Sequence, residues 1–153
     1  MEDFLFEIAH PAATGPEIAV LENRFHFHMP RDIRQFYLKH NGVIFLPNAR
    51  SNPENCELRY FYSVGRQFED HIPTIDQLLG WQAKDRLIPM YYIPFCSDEA
   101  GDSYYVRVDE EGYGEIYYFV DFLDDPNVEG AGLIAESFTD FLAQIEVPTP
   151  KGR

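Results

Sequence analysis

Between residues 88 and 121 the chain writes one pattern three times: IPMYYIPF, SYYVRVD and EIYYFVD, each rich in tyrosine and branched apolar residues and separated by short turn-forming segments. Strands this close in sequence have no room for a crossover connection and must fold back on their neighbours, which commits this part of the protein to an antiparallel meander. The last two segments are joined by EEGYG, the first two by a loop holding Asp98, Glu99, Gly101 and Asp102. Pro89 and Pro94 cannot donate to a ladder, so the first strand is expected at an edge or bounded by its prolines. Alternation puts Tyr104, Val106, Val108, Ile116, Tyr118 and Val120 on one face. Tyr105, Arg107, Asp109, Glu115, Tyr117 and Asp121 fall on the other.

The remaining segments surround this meander with helices. In TGPEIAVLENRF, Thr14 and Glu17 stand in capping-box spacing, Pro16 sits in the first turn, and Ile18, Leu21 and Phe25 recur on one face. A second helix is read in PRDIRQFYLKHNG, stopped by Asn41-Gly42, and a third in TIDQLLGWQAKDRL, capped by Thr74 with Gln77. Val43 to Leu46 suits a short strand. ELRYFYSV alternates Leu58, Tyr60, Tyr62 and Val64 against Glu57, Arg59, Phe61 and Ser63, as a half-buried strand would. PNARSNPENC and DFLDDPNVEGAG are loops, and SFTDFLAQIEV closes the chain as a helix capped by Ser137. The expected fold is a single α+β domain with a mostly antiparallel sheet of five or six strands covered by about four helices.

At 153 residues there is one sizeable core, and 16% aromatic content supplies much of its area. No apolar run reaches the ~18 residues that a membrane-spanning helix needs. The opening MEDFLFEIAHPAATG carries acids where an export signal would carry positive charge, and the two cysteines, Cys56 and Cys96, are expected to be reduced thiols of a cytoplasmic protein. The formal net charge is −14; residues 97 to 146 hold fourteen acids against Arg107 alone. Such a field repels phosphate backbones and attracts basic surfaces over roughly 8 to 10 Å, which argues against direct nucleic-acid binding and for a basic partner.

Motifs for catalysis are weak. Asp98, Glu99 and Asp102 lack the spaced run of oxygen donors that a calcium loop requires; Asp with Gly at a strand connection is the ordinary chemistry of a turn. His26 and His28 share a face in an extended link, but no cysteine or acid is spaced with them as in zinc motifs. His40, near a helix end, serves the terminal carbonyls. Cys96 follows an apolar strand with an acid nearby, the setting of a buried structural thiol rather than a nucleophile. Neither cofactor nor metal is expected.

There remains a face that combines acids with tyrosines, residues that steer a basic partner and anchor it. Asp98, Glu99, Asp102, Tyr105, Asp109, Glu110, Glu111, Glu115, Tyr117 and Asp121 are the candidate contacts. The rival reading is a wet acidic sheet face that serves solubility alone.

The helix ending in LENRF, the link HFHMP, the helix RDIRQFYLKHNG and the later IPFCSDEAGDSYYV followed by a strand pair resemble, in order and spacing, the SUKH superfamily, which includes the fungal cell-wall-assembly regulator family. The matching positions are Glu22, Met29-Pro30, Phe36 to Gly42, and Asp98 with Gly101-Asp102, over a core of about residues 14 to 145; Met29 stands where leucine is commoner. For bacterial members the resemblance implies a non-enzymatic immunity protein that neutralises a cognate basic toxin, often a nuclease, and a monomer is favoured over an oligomer. A regulatory module without a toxin is the alternative. A hydrolase using acids of the 97 to 129 region is a weaker third reading.

Overall fold

The computed structural model describes residues 5–51, 56–119 and 132–147. Among these residues seven strands form one sheet in which spatial order follows sequence order: β1 (Phe6–Ala9), β2 (Val43–Phe45), β3 (Leu58–Phe61), β4 (Tyr92–Asp98), β5 (Ser103–Arg107), β6 (Ile116–Phe119) and β7 (Leu133–Ala135). All six pairings are antiparallel. Helices α1 (Gly15–Phe25) and α2 (Arg31–Tyr37) are inserted between β1 and β2, α3 (Ile75–Asp85) between β3 and β4, and α4 (Phe138–Ala143) follows β7. The α+β architecture agrees with the sequence, with β1 and β7 as strands that it does not reveal.

Helix starts follow local chemistry. Thr14 and Thr74 each accept from the backbone N–H of the residue three positions on, Glu17 and Gln77, whose side chains reach back to the cap N–H, so both capping boxes are closed. Ser137 accepts from Asp140 N–H at the start of α4. The second helix stops at Tyr37, shorter than expected, because the chain beyond it has another task. The side chain of Asn41 is buried and acts as a ladder partner for Val64: its amide donates to Val64 O at 2.9 Å and its oxygen accepts from Val64 N–H at 2.7 Å. Gly42 then takes a φ of +90°, and a Cβ there would stand 2.9 Å from Phe61 O.

One face of the sheet carries the main core, where Phe36 of α2, Phe61, Phe95 and Phe138 of α4 meet edge to face with centroids 5.3 to 5.8 Å apart. Two bulges alter what alternation predicts. A register shift between Leu58 and Tyr60 turns Phe61 into this core beside Leu58, leaving Tyr60 half-buried. The other lies between Pro94 and Cys96 in β4, which is the central strand and not an edge: all seven of its residues are buried, and the irregularity accommodates a proline within a paired strand.

Candidate partner-binding surface

The loop at residues 98 to 102 is built as a tight β4–β5 connection. Asp98 N–H donates to Asp102 O at 3.0 Å, Gly101 N–H donates to Asp98 O at 3.2 Å, and Asp102 N–H donates to the Asp98 carboxylate at 2.9 Å. Gly101 sits at φ +91°, a conformation that glycine adopts without strain. The second Asp98 oxygen, in a side chain only 2% exposed, accepts the Tyr118 hydroxyl at 2.5 Å. Burial and that carboxylate raise the Tyr118 pKa, holding the phenol protonated as a donor. Asp98 therefore works inside the fold, tying the turn to β6. Glu99 is exposed and Asp102 half-buried.

The β5–β6 hairpin is organised by Arg107. Its guanidinium donates twice to Asp109, at 2.6 and 2.8 Å, and once to Tyr117 Oη at 3.3 Å; Glu111 lies 3.5 Å away. It also lies over the Tyr91 ring at 4.9 Å. These bonds hold the Asp109 carboxyl below the usual carboxylate range. Tyr117 Oη donates to Glu115 at 2.9 Å. Asp109 and Glu115 are thus engaged within the hairpin, whereas Glu110 and Glu111 stand exposed at its tip.

Tyr105 and Tyr117, the expected anchors, are 7% and 2% exposed. With Tyr92 and Phe119 they form a second apolar cluster, in which Tyr92 meets Tyr117 at 5.0 Å and Phe119 at 5.1 Å. Phe119 has the same parity as Tyr117, and that apolar ring in the supposedly wet face is the signal that the face is packed. Asp121 lies outside the described residues. Among the nine described candidates, then, Glu99, Glu110 and Glu111 are exposed, and they belong to two separate turns.

Other residues singled out in the sequence have structural surroundings. Cys96 is fully buried, and burial pushes its thiol pKa up. His26 is the left-handed C-cap of α1 at φ 60°; His28 contributes its carbonyl to the Tyr113 hydroxyl at 2.9 Å. Glu22 accepts from Met29 N–H at 2.8 Å and from Arg34 at 3.0 Å, fixing the link between the first two helices. Among the described residues no three His, Cys, Asp or Glu side chains converge to hold a metal ion, and no helix is long and apolar enough to cross a membrane.

These internal uses of Glu22, Asn41-Gly42 and Asp98-Gly101 coincide with the positions that carry the family resemblance. Residues 12–144 match the model of the SMI1 / KNR4 family (SUKH-1). The chain belongs to that family. Comparison with curated proteins finds no match.

Proposed function

We propose that this SUKH-1 chain is a cytoplasmic, monomeric immunity protein that binds a cognate basic toxin, often a nuclease in such systems, and covers its working surface. Family membership over residues 12–144 carries the reading. The charge supports it: a surface that holds nucleic acid is basic, and this chain concentrates fourteen acids against one base in residues 97 to 146. Among the described residues of that region, exposed Glu99, Glu110, Glu111, Glu136, Asp140 and Glu146 supply the steering field. The reading as a binding protein, not an enzyme, is supported by how the candidate catalytic groups are occupied. Asp98 is buried under Tyr118, Asp109 is held by Arg107, and the Cys96 thiol has no access to solvent.

The test is protection. The toxin domain encoded beside this chain's gene is expressed in a sensitive host with and without the chain, and growth is followed together with direct binding at several salt concentrations. Growth rescued by the chain, with association that slows as salt rises, is the expected result. Binding without rescue would leave a regulatory module, and an absence of both would refute the proposal.

A further inference from the structure

Beside the sheet, α3 and the segment after it wall an open groove of about 480 Å3 over Tyr62, Pro94, Ser103 and Tyr105. Its rim carries Trp81, 54% exposed, and Leu87, 75% exposed, with Leu78 and Ile88 deeper. Apolar side chains this large and this exposed, gathered on one concavity, leave their contact area unsatisfied by the fold, which is how interface anchors are arranged. The floor is ordered: the Tyr62 and Ser103 hydroxyls are bonded at 2.9 Å, and Gln82 donates to the carbonyls of Pro89 and Tyr92 at 3.0 and 2.9 Å.

The charges around the groove select its occupant. Among the described residues that line it, Asp85 is the one that is charged. Through the edge-on contact of Tyr62 with Tyr60, ring centroids 5.6 Å apart, the groove adjoins a recess of about 450 Å3 lined by Glu57, Glu99, Arg59 and His71. Arg59 is drawn over the Tyr60 ring at 6.0 Å. Glu57 lies 3.8 Å from the Arg50 guanidinium, which leaves Asp85 in the groove and Glu99 in the recess as the carboxylates set against Arg59. A second copy is disfavoured because each chain carries a net charge of −14, and pairing would bring those fields together. A cationic side chain flanked by apolar ones satisfies both features: indole is the strongest aromatic platform for a cation, and Asp85 and Glu99 supply counter-charge.

We propose that the groove between α3 and β4–β5, anchored by Trp81, is the seat for a basic loop of the partner that presents a Lys or Arg flanked by aliphatic residues. The identity of that partner as a toxin rests on the function proposed above; the chemistry of the seat does not. Trp81 is the chain's only tryptophan, so its emission reports occupancy of the groove directly.

Short random peptides displayed on phage are selected on the full chain and then compared on Trp81→Ala and Asp85→Asn. The expected winners carry Lys or Arg with aliphatic neighbours, shift the Trp81 emission, and bind Trp81→Ala about tenfold or more weakly and Asp85→Asn a few-fold more weakly. Trp81 is half in solvent, so Trp81→Ala should melt with the wild type and the loss of binding is not a loss of fold. Acidic or uncharged winners, no enrichment, or equal binding to Trp81→Ala would overturn the proposal. Self-association abolished by Trp81→Ala would also overturn it, assigning the groove to a second copy. The growth assay repeated with Trp81→Ala separates the two proposals. Rescue by the wild type and not by this variant supports the seat, and rescue by both places the toxin elsewhere. No rescue by the wild type, with Trp81-dependent basic peptides, defeats the immunity reading alone.

Discussion

Asp98→Ala is the substitution whose cost can be worked most directly from the structure. The buried carboxylate accepts the Tyr118 hydroxyl on one oxygen and the Asp102 N–H on the other. Alanine removes both acceptors. Tyr118 is 7% exposed, and its hydroxyl, to which the Cys56 thiol donates at 3.6 Å, would lose the carboxylate that accepts its proton. A buried donor left without its acceptor costs about 1–3 kcal/mol, and the half-buried Asp102 N–H adds a value near the low end of that range, so the sum is about 3 kcal/mol. For a chain of this size that lowers Tm by roughly 6–12 °C. Asp98→Asn keeps the size and one acceptor oxygen and should cost about 1 kcal/mol. Tyr118→Phe should cost about 1–2 kcal/mol by orphaning the carboxylate oxygen. The double variant Asp98→Ala, Tyr118→Phe should be less destabilised than the sum of its parts by about 1 kcal/mol, because each single change strands the other's partner. Thermal and urea unfolding of the four chains measures all of this. Wild-type melting for Asp98→Ala, or strict additivity in the cycle, would refute the assignment of Asp98 as the tie between the β4–β5 turn and β6.

Gly101→Val should cost about 1 kcal/mol or more through backbone strain alone, since a Cβ at that position meets nothing within 4 Å, while Glu99→Gln should leave melting unchanged; calorimetry compares them. Asn41→Ala strands the Val64 N–H, while the Val64 carbonyl keeps the Arg66 N–H at 2.8 Å, and should cost about 1–3 kcal/mol by urea unfolding. Because Arg107 holds Asp109 below the ordinary carboxylate range, Asp109 contributes stability that is fully present above its unfolded pKa of about 3.9 and is lost as pH falls through its lower folded value; Asp109→Asn should flatten the acid limb of a Tm-versus-pH curve. Neutralising Glu110 and Glu111 together should slow association with a basic partner and reduce its salt dependence without changing Tm, read by surface plasmon resonance and melting.

What the sequence makes legible is what is decided locally. The capping pairs Thr14 with Glu17 and Thr74 with Gln77 name their helices because donor and acceptor lie three residues apart. The close spacing of 88 to 121 names the meander for the same reason. Strands of four and three residues at the sheet edges, β1 and β7, are too short for alternation to register, and three of the four β1 side chains are exposed. Pro94 misleads because the local rule sees a missing donor but not the bulge that receives it. The candidate site suffers from a different limit. Period-two alternation says which side chains share a face, not whether that face is covered, and Tyr92 and Phe119, together with Ile88 and Tyr91, pack the face on which Tyr105 and Tyr117 were expected to stand free. Trp81 escapes notice because helical phase puts it three residues from Leu78, in step with an apolar position, and phase does not say whether that stripe is covered.

The residues that identify the family and the residues free to meet a partner are different sets, for a physical reason. Glu22 satisfies the Met29 N–H, Asn41 completes Val64, Gly42 allows the Phe61 carbonyl to approach, and Asp98 and Gly101 shape one turn. Every one of these answers a backbone group or a backbone angle, a demand that any chain adopting this sheet and helix arrangement must meet whatever it binds. Trp81, Leu87, Asp85 and Glu99 answer no such demand: their side chains are exposed, and the fold would form without them. A scaffold arranged this way can change partners by changing the second set alone. Substitutions in the first set should therefore lower stability and binding together, whereas those in the second should separate the two.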